Sequence, residues 1–176
     1  MKQVITLGGG CFWCTEAVFE RVQGVLAVES GYCNGHFRDP SYEQVCTGQT
    51  GHVEVVQVSF DDEVISLRDI LAIFLATHDP TTLNQQGHDV GPQYRSGIYL
   101  SDPLQEEAAR AVLQEAQQAF GGRVVTELQP VQEYSRAEEY HQRYYARHPH
   151  QGYCAAVIAP KVDKFRRVFA ARLKPG

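Results

Sequence analysis

Methionine occurs once in this 176-residue chain, at position 1, and tryptophan once, at position 13. A chain so poor in internal methionine suits exposure to oxidants. No apolar run approaches the ~20 residues that span a bilayer, so no membrane segment is expected. The opening MKQVITLGGG has too short an apolar stretch for a signal peptide and reads as a strand, which makes a cytoplasmic location the expectation. An excess of basic charge is also missing: 16 Lys and Arg face 21 Asp and Glu, and the net charge of −5 argues against nucleic-acid binding. Repeats, linkers and low-complexity segments are absent, and the length suits a single domain over 1–176. An even cysteine count is lacking too. Cys11, Cys14, Cys33, Cys46 and Cys154 cannot form a fully paired framework within one chain. In a reducing compartment such thiols are buried spectators, metal ligands or catalysts.

Present instead is an ordinary globular composition, 43% apolar and 21% charged. Residues 3–7 read as a strand, 12–22 as a helix and 25–33 as a second strand. Residues 34–51, rich in Gly, Asn, Asp, Pro and Thr, read as a long loop. HVEVVQVSF, 52–60, alternates as a strand. Ser66 and Asp69 open a helix on which Leu67, Ile70, Leu71, Phe74 and Leu75 recur at helical spacing. A second long loop, 78–95, precedes a short strand at 96–100. The order β-α-β-β-α-β predicts an α+β, two-layer α/β sandwich with a ferredoxin-like split βαβ core and a C-terminal extension. In that extension a helix starts at Asp102-Pro103 and ends at Gly121-Gly122. A strand near 124–129 and a polar aromatic helix near 136–147 follow. The last helix, 161–173, should turn Val162, Phe165, Val168 and Phe169 inward and its many Lys and Arg residues to solvent. Loops longer than about 12 residues tend to be functional, so the site is expected between the two long ones.

GGGCFWCTEAVF, residues 8–19, carries the chemistry. Glycines let the chain turn tightly from strand to helix. Cys11 then stands at the helix start, where unpaired N–H groups and the dipole favour a thiolate. Phe12 and Trp13 beside it could wall a small alkyl group. Cys14 shares a helical stripe with Val18, Val22 and Val25 and should point into the core, although C-x-x-C spacing also permits a disulfide to Cys11. Zinc would need two further ligands at finger-like spacing; Cys33, His36, Cys46, His148 and His150 do not supply them. A thioredoxin-like pair is disfavoured by the aromatics inside the motif and the glycines before it.

On the strand 52–60, Glu54 shares a side with Val56, Val58 and Phe60, which is the core side. Desolvation there should raise its pKa and make it a proton donor at neutral pH. Tyr42 in the first long loop, with Asp89, Tyr94 and Arg95 in the second, offers groups that can hold a polar oxygen.

Taken together, GCFWCTE, SYEQVCTGQTGHVEVVQVSFD, HDPTTLNQQGHDVGPQYRSGIY and the late GYC resemble the peptide methionine sulfoxide reductases of the A type, over nearly the whole chain from residue 4 to the last helix. The resemblance implies reduction of the S epimer of methionine sulfoxide, free or in oxidised proteins, to methionine, without metal or organic cofactor. It implies that Cys11 attacks the sulfoxide sulfur and that Phe12 and Trp13 hold the substrate methyl. Glu54 would protonate the oxygen and the Tyr42 and Tyr94 hydroxyls hold it, while Asp89 helps bind the substrate backbone or a water. A sulfenic acid on Cys11 would be resolved to a disulfide. Thioredoxin would then restore the thiols.

The chain departs from the family pattern at Cys14, where many relatives have glycine, and in a tail without a second late cysteine. Cys154, in GYC, matches the resolving cysteine that the resemblance implies, and Gly152 gives its segment freedom to move; Cys14 is the alternative. Cys33 and Cys46 read as structural, and a monomer is the default. Two rivals stand beside this reading: a thiol-disulfide oxidoreductase using Cys11 and Cys14, and a non-enzymatic redox sensor. Neither would need Glu54.

Overall fold

A computed structural model describes residues 1–175. Eight strands and six α-helices are present among them: β1 (Lys2–Gly8), α1 (Phe12–Phe19), β2 (Val25–Cys33), α2 (Tyr42–Cys46), β3 (Val53–Asp61), α3 (Leu67–Ala76), β4 (Gln85–Gln86), β5 (Asp89–Val90), β6 (Gly97–Leu100), α4 (Glu106–Ala119), β7 (Glu127–Pro130), β8 (Ser135–Arg136), α5 (Tyr144–Arg147) and α6 (Ala159–Val168). Six strands make one sheet in the order β7-β6-β1-β3-β2-β8. Its inner four, β6-β1-β3-β2, are antiparallel throughout, and β7 adds parallel to β6. With α1 and α3 as the crossovers, this is the split βαβ core that the element order predicts.

The core lies on one face of this sheet. Ile5, Leu7, Val56, Val58 and Phe60 meet Phe12, Val18 and Phe19 of α1 and Ile70, Leu71 and Phe74 of α3. At about 25 cal/mol per Å² of apolar surface removed from water, such full burial is worth roughly 1.5–3 kcal/mol per large side chain. A smaller cluster of Cys33, Val53, Val55 and Tyr99 forms separately. β3, paired on both sides, is therefore buried on both faces.

Helix α1 is buried almost all round because the sheet covers one side and the C-terminal segment the other. Cys14 consequently does not share the main core with Val18 and Val22. It packs with Ala17, Cys154, Ile158 and Val162 in a cluster of its own. α1 ends at Phe19, earlier than the expected residue 22, and the chain turns through Gly24 (φ +95) into β2.

Other differences have local reasons. The loop 34–51 contains α2, started by a capping box: the Ser41 side chain accepts from the Gln44 N–H, and the Gln44 side chain returns the bond to the Ser41 N–H. The loop 78–95 contains the small β4–β5 hairpin. Residues 136–147 are not one helix. Ser135–Arg136 pairs with β2, a single 3₁₀ turn follows at Glu139–His141, and Arg143 (φ +54) precedes the short α5. Tertiary pairing with the β2 edge overrides the helical propensity of this stretch.

The last helix starts before 161, because a π-helical turn at Cys154–Ile158 leads straight into it and Pro160 sits in the first turn, where no N–H is required. It ends at Val168, which is 54% exposed rather than inward-facing. Val162 and Phe165 are buried as expected. No helix among the described residues is long and apolar enough to cross a membrane.

Candidate active site

β1 leaves the sheet at Gly8, and Gly10 takes φ +93 to turn the chain into α1. A Cβ on Gly10 would stand 2.6 Å from the Gln86 side chain, so both its backbone angle and its space call for glycine. This turn sets Cys11 at the N-cap of α1, partly accessible to solvent. Leu7 pairs with Val56, so the turn ends above the start of β3, where Glu54 sits. The Phe12 N–H donates to Glu54 Oε1 at 3.2 Å. One hydrogen bond thus ties the carboxyl to the residue after the cysteine.

Glu54 is 1% exposed, and its Oε2 has no protein partner. Burial pushes its carboxyl up to about 8; the Phe12 N–H opposes the rise, and the charges of Asp89 and Cys14 add to it. At neutral pH it is mostly an uncharged acid. The direction matches the expectation drawn from strand alternation.

Cys11 does not. Its sulfur receives the Trp13 N–H at the helix start, which lowers its pKa, but burial, donation of its proton to Cys14 and the Glu54 charge together hold it well above the ordinary thiol range. The hydrogen bond from Cys11, helped by Lys161 and Tyr153 and opposed by burial, brings Cys14 down to about 7. The two thiols titrate as a pair, which gives up one proton readily and resists losing the second.

Cys154 also corrects its expected setting. It is fully buried (0% exposed) on the π-helical turn, not on a mobile loop, and packs in one cluster with Cys14 while Cys11 lies against that cluster. Burial, and next the Cys14 charge, raise its pKa. Three of the five cysteines are therefore brought together; all five are free thiols. Cys33 is the buried last residue of β2, whereas Cys46, expected to be structural, is exposed on α2.

Around these groups stand the expected aromatics. Phe12 is buried in the main core against Tyr32, while Trp13 is partly accessible. Tyr42 opens α2 and Tyr94 ends the turn Pro92–Tyr94; burial raises both hydroxyls, and the Glu54 charge raises both further. Asp89 Oδ2 accepts from the Tyr153 hydroxyl at 2.6 Å, and the same hydroxyl lies 3.7 Å from Cys14 Sγ. Arg95 turns away to Glu127, 3.0 Å from its Nε.

Four neighbours escaped sequence reasoning. Trp13 Nε1 donates to His141 Nδ1 at 3.1 Å, the Tyr144 ring stacks on the indole at 3.8 Å and 5°, and Tyr153 meets it edge-on at 6.0 Å. Glu138 accepts from the Tyr42 N–H and the Tyr32 hydroxyl, each at 2.8 Å. Glu138, His141 and Tyr144 lie in the stretch expected to be one helix, where their i, i+3, i+6 spacing would only have put them along one helix face. No signal in the sequence places them here. Tyr153 could have been found, since it stands beside Cys154 in GYC. Among the described residues no three His, Cys, Asp or Glu side chains gather as a metal site would require.

Three thiols in one cluster, beside an uncharged carboxylic acid and within an aromatic surround, are the parts of a thiol-based redox enzyme. Residues 3–173 match the family model described as peptide methionine sulfoxide reductase. A peptide methionine sulfoxide reductase MsrA from Saccharolobus solfataricus is 52% identical over 172 residues, covering 98% of this chain and 97% of that protein. Among solved structures, Mxr1 from Saccharomyces cerevisiae in reduced form is similar with a TM-score of 0.80 and 38% identity, over 87% of this chain and 89% of that one. The same yeast protein in complex with Trx2 gives a TM-score of 0.56 and 27% identity, over 81% and 84% of the two chains. The chain belongs to the peptide methionine sulfoxide reductase family, A type.

Proposed function

We propose that Cys11 is the nucleophile and Glu54 the acid in reduction of the S epimer of methionine sulfoxide to methionine. The observation that carries this reading is the Phe12 N–H to Glu54 bond, which holds a buried, uncharged carboxyl with a free oxygen beside the cysteine at the start of α1. Sulfoxide oxygen leaves sulfur poorly unless protonated, so thiolate attack needs such an acid.

As Cys11 sulfur bonds to the sulfoxide sulfur, its proton passes to Cys14, which receives the Cys11 hydrogen bond at rest. Glu54 protonates the oxygen, with Tyr42 and Tyr94 donating to it. The substrate methyl rests against Phe12 and Trp13, and Asp89 binds the substrate backbone or a water. The protonated oxygen leaves as the S–O bond breaks, and water adds to the Cys11 sulfur as the new S–S bond breaks, so methionine departs and Cys11 is left as a sulfenic acid. With the proton on Cys14 returned to Glu54 through solvent, the net change is thiol plus sulfoxide to sulfenic acid plus sulfide. Condensation with a second thiol forms a disulfide and releases water.

Cys154 is that second thiol in the first reading. A relay is the second: the hydrogen bond to Cys11 makes Cys14 the nearer partner, and the shared cluster of Cys14 and Cys154 would let the disulfide pass inward. The complex of the yeast relative with Trx2 supports thioredoxin as the reductant of the final disulfide. A single monomeric domain over 1–176, acting in the cytoplasm on free or protein-bound sulfoxide, completes the reading.

The test is single-turnover reduction of the S-sulfoxide of a methionine peptide without added reductant, in wild type and Cys154→Ser, with disulfides mapped by mass spectrometry. A Cys11–Cys154 bridge in wild type and a stalled sulfenic acid in the variant support direct resolution. A Cys14–Cys154 bridge in wild type and Cys11–Cys14 in the variant support the relay. No methionine from wild type overturns the assignment.

A further inference from the structure

We propose that Glu16 is a positioning residue for the substrate wall: its buried carboxyl anchors the turn at Arg143-Tyr144 so that the Tyr144 ring lies flat on the Trp13 indole. This rests on the reading that Trp13 lines the substrate pocket.

Glu16 lies three residues after Trp13 on α1 and is 1% exposed. Its Oε2 accepts from Ser30 Oγ at 3.2 Å, and the backbone N–H groups of Arg143 and Tyr144 favour its charged form. Arg143 adopts φ +54, a left-handed conformation uncommon for a side chain of its size. A strained backbone persists where its surroundings over-determine it. Here they do. Glu20, one helical turn beyond Glu16, meets Arg143 Nε at 3.4 Å, and the Arg21 guanidinium lies 5.3 Å from the centre of the Tyr145 ring. Gln142 accepts from the Ser30 N–H at 3.0 Å and donates to the Ser30 and Ala137 carbonyls at 2.9 and 3.1 Å. Ser30 thus grips Glu16 with its side chain and Gln142 with its backbone.

What this knot holds is the far wall of the indole: His141 Nδ1 accepts from Trp13 Nε1, and Tyr144 stacks on its face. Because Nδ1 accepts, the neutral imidazole carries its proton on Nε2. Burial pushes the Glu16 carboxyl up to about 7, with the neighbouring Glu20 charge adding to the rise and the Arg143, Ser30 and Tyr144 donors opposing it. An acid there is an unfavourable way merely to fill space.

Trp13 is the only tryptophan, so its emission reports this wall directly. In Glu16→Leu the emission is expected to shift to the red and become more open to acrylamide quenching. KM for a methionine sulfoxide peptide should rise about tenfold, the scale of one lost pocket contact, with kcat held within about threefold and Cys11 alkylation unchanged. Glu16→Gln keeps an acceptor oxygen and should restore most of both signals. Tyr144→Leu should reproduce both changes with Glu16 intact. A folded Glu16→Leu with wild-type emission and KM overturns the proposal. Should Glu16→Leu not fold, Tyr144→Leu with wild-type emission and KM overturns it alone. If Trp13→Leu keeps wild-type KM, the pocket reading fails, while an emission shift in Glu16→Leu still establishes the anchor.

Discussion

Glu54 and Glu138 flank the same tyrosines and meet opposite fates. Tyr32 is the cross-strand neighbour of Glu54, yet its hydroxyl reaches Glu138. Glu138 collects that hydroxyl and the Tyr42 N–H on its two oxygens; against the opposing effect of burial, these donors hold its carboxyl below the usual range. Glu54, deeper in the protein, receives one N–H and leaves one oxygen free, and burial wins. Depth decides first which carboxyl keeps a proton, as Glu16 also shows by staying raised against three donors, and the donors then hold the shallower Glu138 ionised. Two acids pushed apart in this way mark distinct roles within one site.

The comparison breaks most sharply on activity. Glu54→Gln is expected to lower kcat by ~10²–10⁴-fold, the usual contribution of a general acid, while Cys11 stays alkylatable by iodoacetamide. Glu138→Gln should stay within about tenfold of wild type, because its part is to hold Tyr42 rather than to give a proton. Equal losses in the two variants, measured by methionine release, would erase the distinction.

Stability against pH sharpens it next. With its folded pKa raised to about 8 from the usual 4.5, Glu54 holds a proton in the native state that the unfolded chain has already lost. The wild type therefore loses stability as pH rises from about 4.5 through about 8. Glu54→Gln escapes this loss and should be more stable than wild type by a few kcal/mol at pH 9, and by little at pH 4, in urea unfolding. A constant difference across that range would mean Glu54 is not protonated in the native state.

Smaller effects follow. Glu138→Ala removes the acceptor of two hydrogen bonds and should lower unfolding stability by about 1.5–3 kcal/mol. Arg166→Ser and Arg167→Ser, on the exposed side of α6, should each change it by less than about 0.5 kcal/mol, as a solvated face requires.

Much of the site was legible because its parts follow short-range rules. Alternation along 52–60 put Glu54 on the core face, and the GGG turn put Cys11 at a helix start. The capping box of α2 was also written in the chain, as Ser41 followed by Gln44, but the surrounding turn residues masked it. Cys154 was expected on a loop because Gly152 stands beside it, whereas it lies buried on a π-helical turn packed in one cluster with Cys14. The stretch 136–147 failed for a related reason: its helical propensity lost to pairing of Ser135–Arg136 with β2.

By itself, the order of periodicities determined the β-α-β-β-α-β core, and local turn and strand chemistry determined that one cysteine stands at a helix start and one carboxyl on a buried strand face. Those features depend on residues within a few positions of one another, so the chain carries them openly. Only the tertiary structure decided that the Phe12 N–H meets Glu54, that Cys14 and Cys154 share a cluster, and that His141 and Tyr144 wall the indole. Each of these is set by the distance between groups far apart in sequence, and by the water that packing removes from between them, which no local pattern encodes.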